Sequence, residues 1–348
     1  MPQMVNFYPP RRLARLVHFL ESQGHSCVEA MRAAGLSHAM MDLEYIPINS
    51  IFVLLQEMLM RTGRTDLGFV AALEIPIGSD DIALQLLLNA PRLRDAFLML
   101  AKYSTLLSPV LHLTVHERDD GGCTLELRLK SSLAYEVGLL LLESIALSGH
   151  KYQQFALQDR MLPCSFAFSW PTPAHAYRYR EIPGAQVRFG LGGEMRALMH
   201  YGADVAMRPM PNADARVHQS VERKARLAVT ALERELSYSE WTRHTLAQME
   251  DEMLTQESAA RLLQMSARTL ARHLEREGAA FGEIAHEVRI ERARQLLATS
   301  DMSIHDIGLK LGFASQANFA RSFKARTGNS PSQFRQLRQC RQAGQEPA

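Results

Sequence analysis

The segment SQANFARSFKAR, Ser315 to Arg326, carries side chains that could read another molecule rather than transform it. Ser315, Gln316, Asn318, Arg321 and Lys324 supply hydrogen-bonding groups and positive charge, and no carboxylate interrupts them. Phe319 and Phe323 lie four apart, so in a helix they define a buried stripe and leave the polar set exposed. Gln and Asn can pair with an adenine edge and Arg with guanine, each pair worth about 1–3 kcal/mol of discrimination. Lys and Arg answer phosphate charge, and carboxylates would repel it. The chemistry on offer is recognition of nucleic acid.

Such a helix must be braced. The upstream segment SIHDIGLKLG fits that role: it opens at a capping Ser303, carries Gly308 where another helix can cross closely, and turns at Gly312-Phe313. After the polar helix the chain closes on Gly328, where a left-handed residue is favoured. The same plan occurs earlier, in TQESAARLLQMSARTLARHLEREG. There the cap is Thr255, the small residue Ala260, the turn Gln264-Met265, the buried pair Leu270 and Leu274, and the closing residue Gly278. The free face of that second helix offers Ser266, Arg268, Arg272 and His273, with Glu275 and Glu277 toward the far end. Two helix-turn-helix units joined by one long helix are therefore expected, each with a first helix bracing a second that enters the major groove. A last short helix follows Ser330-Pro331, and its opening near Ser330 to Gln333 is a further phosphate candidate.

Net charge is +2 over 348 residues, so affinity for a polyanion must come from local segregation of charge. From Asp301 to Gln345 seven basic residues stand against two acidic ones; from Gln256 to Ser300 seven arginines stand against six glutamates. The basic excess sits in the final segment. It argues against the second reading of these helices, a platform for a protein partner beside a ligand-sensing domain.

The elements upstream have a different texture. Helical spacing runs through Arg11 to Ser22, through SCVEAMRAAGL from a capping Ser26, and from Asn49 or Ser50 to Gly63. DIALQLLLNAPRLRDAFLMLAKYSTLLSP reads as a helix pair split at Pro91. VLHLTVHER and GGCTLELRLK alternate on either side of a DDGG turn and read as a hairpin. YEVGLLLLESIALSGHKYQQFAL returns to helix, and CSFAFSW and AQVRFG are further strands. The expected fold is an α+β N-terminal domain, with helices on a small mainly antiparallel sheet, followed by an all-α C-terminal domain with two helix-turn-helix units. The expected division is 1–212 for an effector-sensing or dimerisation domain and 213–239 for a charged helical linker. Residues 240–340 form the DNA-binding domain and 341–348 a flexible tail.

Other chemistries find little support. FGLGG, Phe189 to Gly193, opens no βαβ unit and reads as a turn. HEVRI lacks the second His of a zinc-protease helix, so His286 is a surface or packing residue. His112 and His116 share a strand face, but no third ligand is evident. Cys27, Cys123, Cys164 and Cys340 are scattered, which suits a reducing cytoplasm and neither a zinc site nor a disulfide scaffold. The N-terminus lacks the layout of a signal peptide, and the longest apolar runs are too short to span a bilayer. No enzyme motif stands out, so no catalytic residue, metal or cofactor is expected. The Leu- and Met-rich helices VLLQEMLM, FLMLAKYSTLL and LLLLESIAL read as core packing, with an apolar or aromatic effector pocket as the alternative.

Over the last hundred residues, on SARTLARHL, RIERARQLLATS and IHDIGLKLGFASQANFARSFKARTGNSPSQFR, the chain resembles the AraC/XylS family of transcription regulators. The N-terminal part, with GLS after a helix, the LLNAPRLRDAFLMLAKYSTLLSP helix pair and the late MRPMPN segment, is similar to the arabinose-binding-type domain of ornithine-utilisation-regulator-like members. The resemblance implies recognition helices over 266–277 and 315–326 in successive major-groove segments of one DNA face. It carries base contact onto Arg268, Arg272, Gln316, Asn318 and Arg321, with Ser315 as a cap or phosphate contact and Lys324 on the same face. Ala271 and Ala317 stand where some members have larger polar residues, which leaves methyl–thymine contact there. The resemblance also implies a cytoplasmic homodimer under a small-molecule effector, acting on promoter DNA and RNA polymerase, and more often as an activator than a repressor.

Overall fold

The computed structural model describes residues 7–43, 45–75, 82–130, 133–233, 237–249 and 254–342. They divide into two compact units, one of Asn6–Ala34 and Pro47–Glu235, the other of Met1–Val5, Gly35–Ile46 and Leu236–Ala348. The later break falls between Glu235 and Leu236, and a stretch of the N-terminal third, Gly35–Ile46, belongs to the C-terminal unit. Residues 343–348 of the expected tail and 250–253 of the expected DNA-binding domain lie outside the described residues.

The first unit runs β1 (Phe7–Tyr8), α1 (Arg11–Ser22), α2 (Val28–Ala33), β2 (Ile46–Pro47, at the boundary), α3 (Ile48–Thr62), α4 (Leu67–Leu73), α5 (Ile82–Asn89) and α6 (Leu93–Lys102). Then come β3 (Leu111–Glu117), β4 (Cys123–Leu129), α7 (Tyr135–Ala156), β5 (Cys164–Phe168), β6 (Ala185–Arg188), β7 (Arg196–Tyr201), α8 (Ala203–Ala206) and α9 (Ala215–Glu233). The hairpin is present, with Leu111 opposite Leu129 and Glu117 opposite Cys123. Five strands form one sheet in the order β3-β4-β7-β5-β6, antiparallel except for the β5–β6 pair. This is the expected class, helices on a small mainly antiparallel sheet. β7 is an addition to the sequence reading: Ala197, Met199 and Tyr201 alternate inward and pair with both β4 and β5.

Two helix starts differ from expectation. α2 begins at Val28 after Cys27, with no side-chain cap from Ser26. α3 begins at Ile48 behind Pro47, whose fixed φ sets the entry, and Ser50 is buried inside the first turn. Pro91 does separate α5 from α6, and the MRPMPN segment straps that corner through Leu93 N–H to Arg208 O (3.1 Å) and Met210 N–H to Pro91 O (3.1 Å). The core lies between α7 and the sheet, where Phe97, Leu142, Leu147, Phe166, Phe168 and Tyr201 are buried together. Glu143, which breaks the apolar run of α7, is fully buried and accepts from Tyr179 Oη at 2.6 Å, with His175 Nε2 at 2.7 Å. Burial beside Glu143 holds the Tyr179 phenol well above its ordinary value.

The charged stretch expected as a linker is helix α9, and it docks on the first unit. Val221 and Ala225 are buried against Leu86 and Tyr103, and Glu222 accepts from Lys102 Nζ at 2.7 Å and Tyr103 Oη at 3.0 Å. Its charged residues are the solvent face of an amphipathic helix.

The second unit adds α10 (Tyr238–Gln248), α11 (Gln256–Leu262), α12 (Ala267–Arg276), α13 (Phe281–Thr299), α14 (Ile304–Lys310), α15 (Gln316–Thr327) and α16 (Pro331–Gln342). No helix among the described residues is long and apolar enough to cross a membrane. Nor does any group of His, Cys, Asp and Glu among them form a metal set.

Candidate nucleic-acid interface

The tandem repeat is present in detail. Thr255 caps α11 by accepting from Ser258 N–H, and Ser303 caps α14 by accepting from Asp306 N–H, both at 3.1 Å. Both first helices end in the same way. Met265 N–H reaches back to Ala260 O at 2.9 Å, and Phe313 N–H to Gly308 O at 2.9 Å, with Gln264 and Gly312 left-handed at φ 54° and 73°. This double turn sets the angle at which each brace delivers the chain to the next helix. The polar helices then start on their own serines: Ser266 accepts from Thr269 N–H at 3.1 Å and Ser315 from Asn318 N–H at 3.2 Å. Gly278 and Gly328 end the units with φ 72° and 79°.

Each polar helix is anchored by the pair expected from its spacing. Leu270 and Leu274 are fully buried on α12, as are Phe319 and Phe323 on α15. Phe319 packs against Phe313 at 5.2 Å between ring centres, and Phe323 against Phe334 of α16 at 5.5 Å. A Cβ on Gly308 would stand 3.4 Å from Phe319 Cβ, in van der Waals contact, so α14 and α15 cross closely at this small residue. In the other unit, Gln256 Nε2 of the brace donates to Ala267 O of the polar helix at 3.1 Å.

With the apolar stripe turned in, Arg268, Arg272, Ser315, Gln316, Asn318, Arg321 and Lys324 are all exposed. On α15, Arg321 Nη2 donates to Asn318 Oδ1 at 2.5 Å, which orients the two side chains as one group. Arg326 is turned aside: it pairs with Glu287 of α13, which also accepts from Arg243 at 3.3 Å. His286 lies beside Ser322 Oγ at 3.3 Å, which makes it a packing residue between α13 and α15. The start of α16 carries a reciprocal cap, Ser330 N–H to Gln333 Oε1 at 2.9 Å and Gln333 N–H to Ser330 Oγ at 3.3 Å. Arg335 Nη2 ties that helix to Met302 O at 2.7 Å.

One residue of the expected reading face is used otherwise. His273 stacks on Tyr238 with ring centres 4.3 Å apart, so it joins α12 to α10 instead of serving the groove. Its neighbour Glu277 is a capping group for α10. Sequence spacing gave no sign of either role, because both partners lie outside the repeat. Residues Gly35–Ile46 also belong to this unit, where Gly35 lies against the backbone of Arg261 and Leu262 and Tyr45 sits 6.3 Å from the His244 ring.

Comparison with known proteins agrees with this architecture. A family profile described as a helix-turn-helix domain matches residues 259–337. A second, described as the arabinose-binding domain of AraC transcription regulators, N-terminal, matches residues 24–210, more than half of the chain. The ornithine utilization regulator of Pseudomonas aeruginosa is 27% identical over 278 residues, covering 79% of this chain and 79% of that protein. The urease operon transcriptional activator of Escherichia coli is 36% identical over 92 residues, 26% of this chain and 31% of its own length. The solved structure of transcriptional regulator CdpR from P. aeruginosa aligns over 92% of this chain and 96% of its own, with 18% identity and a TM-score of 0.46. The arabinose-binding profile alone spans more than half of the chain, and the chain belongs to the AraC family of transcription regulators.

Proposed function

We propose that α12 and α15 enter successive major-groove segments on one face of promoter DNA, and that Arg268, Arg272, Gln316, Asn318 and Arg321 touch base edges there. Ser315 and Lys324 serve the phosphates beside them. The observation that carries this reading is the contrast across α15: Phe319 and Phe323 are fully buried, while an acid-free row of donors is exposed on the opposite face. A helix anchored through its inner stripe presents the other face in a fixed orientation, which base readout requires. The start of α16 is a weaker phosphate candidate than its position suggests, because the reciprocal cap takes the N–H groups of Ser330 and Gln333 and Pro331 has none.

The first unit is the effector domain in this reading, and the protein acts in the cytoplasm as a homodimer. Activation through RNA polymerase is the outcome we favour, in line with the urease operon activator among its relatives. The effector must bind two states of the chain with different affinity to act at all. Helix α9, docked on the first unit and ending just before the second, is the segment through which such a difference would pass.

Genome-wide mapping of bound DNA in the native host, at natural protein level, tests the reading. A few sharp sites beside one operon are expected, and duplexes carrying them should show a steep loss of affinity with salt. Absence of duplex binding by the purified chain at low salt, with and without host metabolites, would overturn it.

A further inference from the structure

We infer that the space kept open beside Gly149 of α7 binds a neutral, mainly aliphatic molecule ending in a carbonyl oxygen, and that the Gln153 amide holds that oxygen. The inference rests on the effector-domain reading above and names its ligand class. Gly149 lies in the interior of α7, where glycine costs helix stability relative to alanine. Among the described residues a Cβ there would meet only two side-chain tips, Gln153 Nε2 at 3.9 Å and Met199 Cε at 4.0 Å, both ordinary contacts. No close helix crossing therefore demands the glycine. Gly149, Gln153 and Met199 together line a chamber of about 50 Å³, so the missing side chain leaves that chamber open.

Shape selects the body. An outer chamber of about 130 Å³, between α1, α3 and α7, adjoins the inner one, with Leu107, Ile145, Ser148 and Tyr152 lining both. An apolar protein cavity of roughly 150 Å³ accepts a benzene-sized guest, so the two chambers hold a small organic body. The lining follows one side of α7 from Leu140 through Ser144 and Ser148 to Gln153, a path of roughly 20 Å at about 1.5 Å per residue. Two linked chambers along that path suit a flexible chain better than a fused ring system. The walls are mainly aliphatic, with Ile51 and Leu55 of α3 in the outer chamber and Leu113 and Leu125 of the sheet in the inner one. The expectation of plain core packing for VLLQEMLM, FLMLAKYSTLL and LLLLESIAL holds only in part: Leu54 and Leu147 are buried, whereas Leu55, Leu107 and Leu141 line the cavity.

Polarity selects the end group. Gln153 is 2% exposed, and its Oε1 accepts from Tyr201 Oη, which leaves Nε2 on the side of Gly149 and the inner chamber. Nε2 has no acceptor among the described residues. A buried donor without an acceptor is costly, and a carbonyl oxygen supplies what an amide N–H lacks. A charged end group is a poor fit, because a buried charge needs a charged partner. No Asp, Glu, Lys or His is among the described lining residues of either chamber, and Arg12 and Arg15 are already engaged within the chain. An ammonium would in addition offer Nε2 no acceptor.

Titration calorimetry of the full chain with 2-octanone, octanoate and octylamine tests the inference. 2-Octanone should bind saturably, with octanoate and octylamine at least roughly tenfold weaker, the scale of a lost buried hydrogen bond or an unpaired buried charge. Gly149→Ala places a methyl group beside Gln153 Nε2 in the inner chamber. That variant should melt higher than the native chain and bind 2-octanone at least roughly tenfold more weakly, a pairing that loss of fold cannot produce. Failure of 2-octanone to bind the native chain, equal or tighter binding of octanoate or octylamine, or unchanged affinity in Gly149→Ala overturns the assignment. Binding of a random-sequence duplex at low salt is followed in the same samples. Duplex binding without 2-octanone binding sinks the ligand site alone, and 2-octanone binding without duplex binding sinks the regulator reading alone.

Discussion

The carboxylate of Glu277, the residue that closes α12, accepts the backbone N–H of Ser239 at 2.7 Å and so caps α10 from outside that helix. The same carboxylate takes Tyr238 N–H at 3.0 Å. Ser237 and Glu240 satisfy each other's N–H in a capping box. The first-turn donors of α10 are thereby met, two of them by a residue of the first helix-turn-helix unit. Together with the His273–Tyr238 stack this fixes α12 to α10, and α10 packs in turn on α13.

Glu277→Ala removes that external cap. Loss of a capping acceptor costs about 0.5–2 kcal/mol, so thermal unfolding monitored in the C-terminal unit should shift down by a few degrees. Glu277→Gln keeps one acceptor oxygen and should fall between the two. Equal melting of all three proteins would show the cap to be idle.

Gly35 has φ +74°, and a Cβ there would lie 2.8 Å from the Arg261 carbonyl carbon and 2.9 Å from Leu262 N. Backbone cannot give way as a side-chain tip can. Gly35→Ala should therefore lift Gly35–Ile46 off α11, costing more than about 1 kcal/mol. Limited proteolysis is the readout, with new cleavage expected between residues 35 and 46. Unchanged protection would mean that the segment adapts elsewhere.

Arg321 and Lys324 should behave differently on replacement by alanine. On the proposed reading Arg321→Ala removes a base reader oriented by Asn318, so discrimination at one operator position should fall by about 1–3 kcal/mol. On the same reading Lys324→Ala removes a phosphate contact, so all sequences should weaken alike and the salt slope should drop by about one unit. Gel-shift titrations against single-position operator variants separate the two, and an Arg321→Ala protein with intact specificity would refute the assigned face.

His150 is 1% exposed beside Phe166, and burial pushes its imidazole down from 6.5 to about 4. The unfolded chain binds this proton first, so the neutral side chain supports the fold above pH 6.5 and that support fades as pH falls toward 4. The full effect is on the order of 3 kcal/mol. Urea unfolding between pH 7 and 4 should be steeper in pH for the native chain than for His150→Phe. Parallel slopes would assign the acid sensitivity to other groups.

Much of the C-terminal half was legible because its signals are local. Caps at Thr255, Ser303 and Ser315, the closing Gly278 and Gly328, and the inner pairs Leu270–Leu274 and Phe319–Phe323 lie within a turn or two of the element they govern. The exposed face of α15 followed from the buried one. β7 carried a readable alternation at Ala197, Met199 and Tyr201, but its Ala- and Met-rich run has low strand preference, and only pairing on both sides makes it a central strand.

Roles that depend on distant partners had no such signature. His273 looks like a reading residue until Tyr238 covers it, and Glu277 looks like an idle acid until α10 arrives. The charged stretch 215–233 looks like a tether until Val221 and Ala225 meet Leu86 and Tyr103. In the C-terminal half the sequence by itself determined the two helix-turn-helix units, the caps at Thr255, Ser303 and Ser315 and the polarity of each face, since these depend on neighbours along the chain. Tertiary structure alone decided which faces are covered, which acids cap and where a cavity remains, since each of these is a contact between residues far apart in sequence.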